Sequence, residues 1–184
     1  MSKAQDPVDR IKIQWQQERP DLRLEAMEIL GRLKRCSVLY QPFLDTNFAK
    51  FELTSWEFDV LATLRRAGSP YTLTPTELFS ALMVTSGTMT NRLKSLENKA
   101  LILRSPNPKD ARNKLVQLSK LGLKTIDIAL ESHVDNMESI LSALPTKEKQ
   151  ELNDALKNLL AVFENLHASH ETTHAKLSAK MHRL

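Results

Sequence analysis

The sequence predicts a mainly α fold of the α+β type, a winged helix-turn-helix carried between long N- and C-terminal dimerisation helices. Three observations lead there. Apolar residues recur at helical spacing over most of the 184 residues. Only four glycines and few strand-like runs are present. Residues 74 to 118 read without interruption as helix, short break, helix and two-stranded hairpin.

Val8, Ile11 and Trp15 repeat at i, i+3, i+7, giving a short amphipathic helix that stops before Pro20. A longer helix follows from about Glu25, with Ile29, Leu33, Cys36, Tyr40 and Phe43 as its apolar stripe. Pro42 is expected to kink or end it, because proline has no N–H for the helical ladder. Thr54 and Glu57 form a capping box, each satisfying a backbone N–H of the other, and the helix they open continues to Gly68.

Tyr71 to Leu73 is a short strand. Thr74, Pro75 and Glu77 then supply N-cap, N1 proline and capping glutamate for a helix ending near Leu82. The next helix, capped by Thr85 or Ser86, runs to about Lys99. Met89, Leu93, Leu96 and Ala100 share its packing side, and Gly87, Thr90, Asn91, Lys94 and Asn98 the opposite one. Ile102–Ser105 and Lys114–Leu118 make the hairpin, joined by the polar, proline-rich PNPKDARN.

Helix resumes at Ser119 with Ile126, Leu130, Met137, Ile140, Leu141 and Leu144 on its apolar side. Pro145 punctuates before a last helix bearing Leu152, Leu156, Leu159, Leu160, Phe163 and Leu166. So much apolar surface exceeds what a small winged domain covers, so these helices are expected to pair with a second copy. The tail beyond His167 is polar and expected to fray. The expected organisation is residues 1–50 for N-terminal dimerisation helices, 51–120 for the winged helix-turn-helix, and 121–184 for C-terminal dimerisation helices and the tail.

Charge sharpens the functional reading. Between Ser86 and Lys120 eight basic residues (Arg92, Lys94, Lys99, Arg104, Lys109, Arg112, Lys114, Lys120) face two acidic ones, a balance of +6. The whole chain carries +4, so the remainder sums to −2. Cations gathered on the helix and hairpin suit phosphate neutralisation, which releases condensed counterions. Helix period and charge make Thr90, Asn91 and Lys94 on the helix, with Lys109, Arg112 and Lys114 on the wing, the candidate DNA-contacting residues.

Several classes are excluded or set aside. No apolar run approaches the ~20 residues of a membrane span, and the N-terminus lacks a signal-peptide core, so a cytoplasmic location is expected. The single cysteine, Cys36, fits a reducing compartment and is expected to be buried and inert. No Ser-His-Asp order, phosphate-cradling glycine loop or HExxH motif supports an enzyme. His167, His170 and His174 fall at i, i+3, i+7, but a fraying tail would not position them, so no metal site and no cofactor is expected. A winged module that docks protein is the other class to weigh. Lys94, Lys109, Arg112 and Lys114 separate the two, because protein docking needs no such basic excess.

From Glu25 to Leu166 the chain resembles the MarR family of bacterial transcription regulators. The signature D-x-R-x5-L-[ST]-x-x-G is present as Asp110, Arg112, Leu118, Ser119 and Gly122, with serine where threonine is usual. LTPTEL at 73–78, SGTMTNRL and LILR support it. The resemblance implies that Ser86, Thr88 and Asn91 contact bases or phosphates in the major groove. It also implies that Arg112 enters the minor groove with Asp110 holding it. Both roles suit the chemistry: short polar side chains at a helix N-terminus meet phosphate and adenine, and a narrow A·T groove attracts arginine. It further implies a dimer on a palindromic operator and a pocket between winged domain and dimer helices, where a small molecule changes the spacing of the recognition helices.

Four positions match the urate-responsive branch of that family: Trp15, Asp59, Arg92 and Arg104. An aromatic face and guanidinium groups suit a planar urate-like or phenolic anion. Structural ion pairs are the plainer explanation for the same charged residues, and a different effector, or none, stays open.

Overall fold

The computed structural model describes residues 5–82, 89–108 and 110–181, without the side chains of 89–91, 110–113 and 170–181. Its helices are α1 (Pro7–Glu18), α2 (Glu25–Ala49), α3 (Ser55–Arg66), α4 (Pro75–Leu82), α5 (Met89–Asn98), α6 (Lys120–Ile140) and α7 (Thr146–Met181). The strands are β1 (Thr72–Leu73), β2 (Ile102–Asn107) and β3 (Asp110–Leu118). Contacts divide the chain into two compact units, Met1–Asn136 and Met137–Leu184.

Local sequence explains where the helices begin. Asp6 caps α1 by accepting from the backbone N–H groups of Val8 and Asp9, and Asp9 returns the bond to Asp6. Arg32 of α2 holds the same two carboxylates, and Val8 is buried against Gly31. Thr54–Glu57 and Thr74–Glu77 form the expected reciprocal caps of α3 and α4.

Pro42 does not end α2, which runs seven residues further to Ala49. The turns beyond it are anchored from outside. Asp45 accepts from Gln41 and from the Ser55 hydroxyl at 2.6 Å, Asn136 donates to the Phe43 carbonyl, and Asn47 and Phe48 are buried. Tertiary bonds outweigh the one lost ladder bond.

The sheet is antiparallel in the order β1-β3-β2, with Leu73 opposite Val116 and Ile102 opposite Leu118. Both hairpin strands are longer than expected. Pro106 lies inside β2 because β2 is an edge strand, where a missing N–H costs no ladder bond, and the register slips only after it.

One core lies under the hairpin. Phe48, Phe58, Leu61, Leu64, Leu78, Leu93, Leu96, Ile102, Val116 and Ile126 are buried in it; Leu93 and Leu96 are on the packing side expected of α5, while the side chain of Met89 lies outside the described residues. Ala100 is not part of it. With φ 55° it terminates α5 in a left-handed turn, its N–H donating to the Glu97 carbonyl and that of Leu101 to the Leu96 carbonyl.

Gly122 explains why the signature ends in glycine. A Cβ there would lie 1.9 Å from the Leu101 carbonyl oxygen. The same carbonyl accepts from Ser119 N–H, and the Ser119 hydroxyl receives Gly122 N–H while donating to the Ala100 carbonyl. The signature's last three residues thus weld the start of α6 to the start of β2.

Two further expectations need correction. Cys36 is exposed rather than buried, as are Ile29, Leu33 and Phe43 of its stripe, so this face of α2 is not core within one chain. The tail beyond His167 continues as α7 to Met181 instead of ending as irregular chain.

Candidate nucleic-acid interface and ligand cavity

α4 and α5 make the helix-turn-helix, and β2 and β3 the wing. α5 is seated through Leu93 and Leu96, which are 1% and 0% exposed, so its opposite side points out of the core. Lys94 is exposed on that helix and Lys114 on β3, opposite Pro106. Thr90 and Asn91 lie in the first turn of α5, and Asp110 and Arg112 in β3, with their side chains outside the described residues. Ser86, Thr88 and Lys109 lie outside them altogether.

The candidate ligand residues are not gathered into one place. Asp59 lines a cavity of about 690 Å³ walled by α3, α4 and α6, together with Thr63, Arg65, Arg66, Leu82 and Asp127. Burial against this wall raises the Asp59 carboxyl above the ordinary aspartate value, a tendency opposed by the charges of His133 and Arg66. Arg92 lies elsewhere, its guanidinium 5.4 Å from the centre of the Trp56 ring. Arg104 is half-buried on β2, with its Nε buried and unpartnered among the described residues. Trp15 is 44% exposed on α1 and does not line the cavity.

Sequence reasoning missed the cavity's own cations. Arg65 donates to Asp127 at 2.7 Å and sits 5.0 Å over the Tyr71 ring, while Arg66 donates to the Ala81 carbonyl. It also missed His133, packed edge-on to Phe58 and tilted against Phe48. Burial lowers the His133 pKa, with Asp59 pulling the other way. None of these carries a sequence motif, because their partners lie on different helices.

A helix that seats its apolar side in the core and leaves Lys94 exposed, beside a hairpin that carries an exposed Lys114, is the arrangement of a winged helix-turn-helix. A model of the MarR family matches residues 53–114. The HTH-type transcriptional regulator PecS of Dickeya dadantii (strain 3937) is 42% identical over 149 residues, covering 81% of this chain and 90% of PecS. A mutant MarR from E. coli, solved in complex with operator DNA, superposes with a TM-score of 0.65 at 28% identity, over 74% of this chain and 97% of that one. A putative MarR-like regulator from Bacillus cereus shares the fold at TM-score 0.69 and 20% identity, over 76% of this chain and 98% of that one. The chain belongs to the MarR family of winged-helix, DNA-binding transcription regulators.

Proposed function

We propose that the protein is a homodimeric, cytoplasmic repressor that binds a palindromic operator and releases it when a small anionic aromatic molecule, urate-like or phenolic, occupies each subunit. The observation that carries this reading is the charge division, +6 over residues 86–120 against −2 for the remainder. Such an excess of cations on the recognition helix and wing suits phosphate, even with Lys99 paired to Glu57. Ser86, Thr88, Thr90, Asn91 and Lys94 are the residues proposed for the major groove. Lys109, Asp110, Arg112 and Lys114 are those proposed for the wing.

The dimer is supported by uncovered apolar surface on α2, α6 and α7. Ile29, Val38, Phe43, Val134, Leu156, Leu160 and Phe163 are all exposed in the single chain. A second copy covering these faces would set two recognition helices about 34–36 Å apart, one turn of DNA. Residues 1–50 and 121–184 are the proposed dimerisation segments, with 51–120 the DNA-binding segment. No described helix is long and apolar enough to cross a membrane.

Effector control is supported by the cavity at Asp59, whose Arg66 suits an anion and whose Phe58 and Leu82 suit a planar ring. For an effector of that class Trp15, Arg92 and Arg104 are the further candidates. A ligand acts here only by preferring one spacing of the recognition helices.

Sedimentation gives the mass, and calorimetric titration with urate, salicylate and xanthine tests the effector. A monomer contradicts the dimer. Absence of heat with all three, together with no release from DNA, contradicts the effector class while leaving DNA binding in place.

A further inference from the structure

We propose that Glu57 is a positioning residue for DNA recognition, a buried carboxylate in the first turn of α3 that clamps the last turn of α5 through Ser95 and Lys99. This rests on the reading that α5 is the helix that enters DNA.

A capping glutamate needs only its own helix's first N–H. Glu57 does more. One carboxylate oxygen accepts from Thr54 N–H at 2.9 Å and from Lys99 Nζ at 2.8 Å, and the other from the Ser95 hydroxyl at 3.2 Å. Lys99 Nζ also donates to the Glu52 carbonyl at 2.9 Å. Glu57 is 1% exposed. Burial by itself would raise its pKa, but Lys99 and the Thr54 N–H outweigh it and hold the carboxyl below its ordinary value.

Leu93 and Leu96 fix how deep α5 sits, yet apolar contact is non-directional and leaves tilt and rotation loosely set. The Ser95 hydroxyl on α5 and the Lys99 ammonium directly after it, both bonded to one carboxylate, specify both. The clamp acts on the end of the helix far from the base-reading residues. Lys99 and Asn91 are eight residues apart, or about 12 Å at 1.5 Å per residue, so a tilt of roughly 5° displaces Asn91 by about 1 Å. That exceeds the distance tolerance of a hydrogen bond to a base edge. Helix α3 also walls the cavity through Phe58, Asp59, Thr63 and Arg66, so the element that a ligand touches is the one that holds α5.

The test uses the full chain and a duplex that the wild-type protein selects from a random-sequence library. Two further duplexes carry the same half-sites moved one base pair closer or further apart. The double variant Glu57→Gln/Lys99→Met leaves no unpaired buried charge. It is expected to bind the selected duplex about tenfold more weakly, the scale of one good base contact, and to lose the wild type's preference over the shifted duplexes. The slope of log K against log salt should not change, because the charge of Lys99 is already neutralised by Glu57.

Lys94→Met provides the contrast, lowering affinity for all three duplexes alike and flattening the salt slope by about one unit. Should the double variant not fold, Ser95→Ala removes one arm of the clamp and shifts the same preference to a smaller extent. An unchanged preference with only a lower melting temperature would show an ordinary core ion pair and overturn the proposal. So would a salt slope reduced by about one, which would make Lys99 a phosphate contact. A wild-type protein that selects no duplex removes the premise itself.

Discussion

Replacing Gly122 by alanine should destabilise the protein although it improves the local helix. Alanine gains about 1 kcal/mol over glycine in helix propensity. Against that, the new Cβ would stand 1.9 Å from the Leu101 carbonyl oxygen and 2.9 Å from its carbon, both backbone atoms. Relief requires the backbone to retreat by roughly 1 Å. That movement stretches the 3.1 Å bond from Ser119 N–H to the same carbonyl, worth about 1 kcal/mol, and incurs an overpacking cost of about 1–3 kcal/mol. The net loss is about 1–3 kcal/mol. At ~2–4 °C for each kcal/mol in a chain of this size, the melting temperature should fall by roughly 2–12 °C. Thermal unfolding followed by circular dichroism measures it. A variant melting within about 1 °C of wild type, or above it, would refute the account of Gly122 as the weld between α6 and the wing.

Three other outcomes are expected. Asn91→Ala should relax base preference at one operator position at a cost of ~1–3 kcal/mol, read by competition among single-base duplex variants, with overall salt dependence unchanged. Asp59→Asn should stabilise the protein at neutral pH, because the folded carboxyl has a raised pKa and its charged form is disfavoured relative to the unfolded chain. The stability difference from wild type should close as pH falls below the unfolded value near 4, where both states of the wild type are protonated. Melting curves at pH 7 and pH 4 check the sign. Arg92→Ala should weaken the effector response more than DNA affinity, since its guanidinium lies 5.4 Å from the centre of the Trp56 ring on α3, the helix that walls the cavity; an equal loss of both, measured in one titration with and without urate, would remove the distinction.

What was legible in the sequence is what local chemistry writes there. The caps at Thr54–Glu57 and Thr74–Glu77 span three residues, so their spacing alone declares them. The α5 packing side followed from its period, and Leu93 and Leu96 are among the most buried residues of the chain. Pro42 does not end α2, and the bonds that carry the helix past it come from Ser55 and Asn136, distant in sequence. Pro106 reads as loop in the sequence yet lies in β2, because edge position is a property of the assembled sheet. Cys36 was expected in the core because an apolar stripe shows that a face is to be covered, without saying by what.

The same limit applies to the site. The basic bias of helix and wing could be counted directly, but Glu57 read only as a cap, since Lys99 lies 42 residues further on. The cavity is assembled from three helices, and only Asp59 among its lining residues was found through a family pattern.

The central claim is that the basic helix and hairpin grip duplex DNA together, and its most direct measurement is the salt dependence of binding to a wild-type-selected duplex, compared with Arg112→Ala. Log K should fall linearly with log salt for the wild type, and the variant should bind more weakly with a slope flatter by about one unit. A wild-type affinity indifferent to salt, or an Arg112→Ala protein indistinguishable from wild type at every salt concentration, would contradict it.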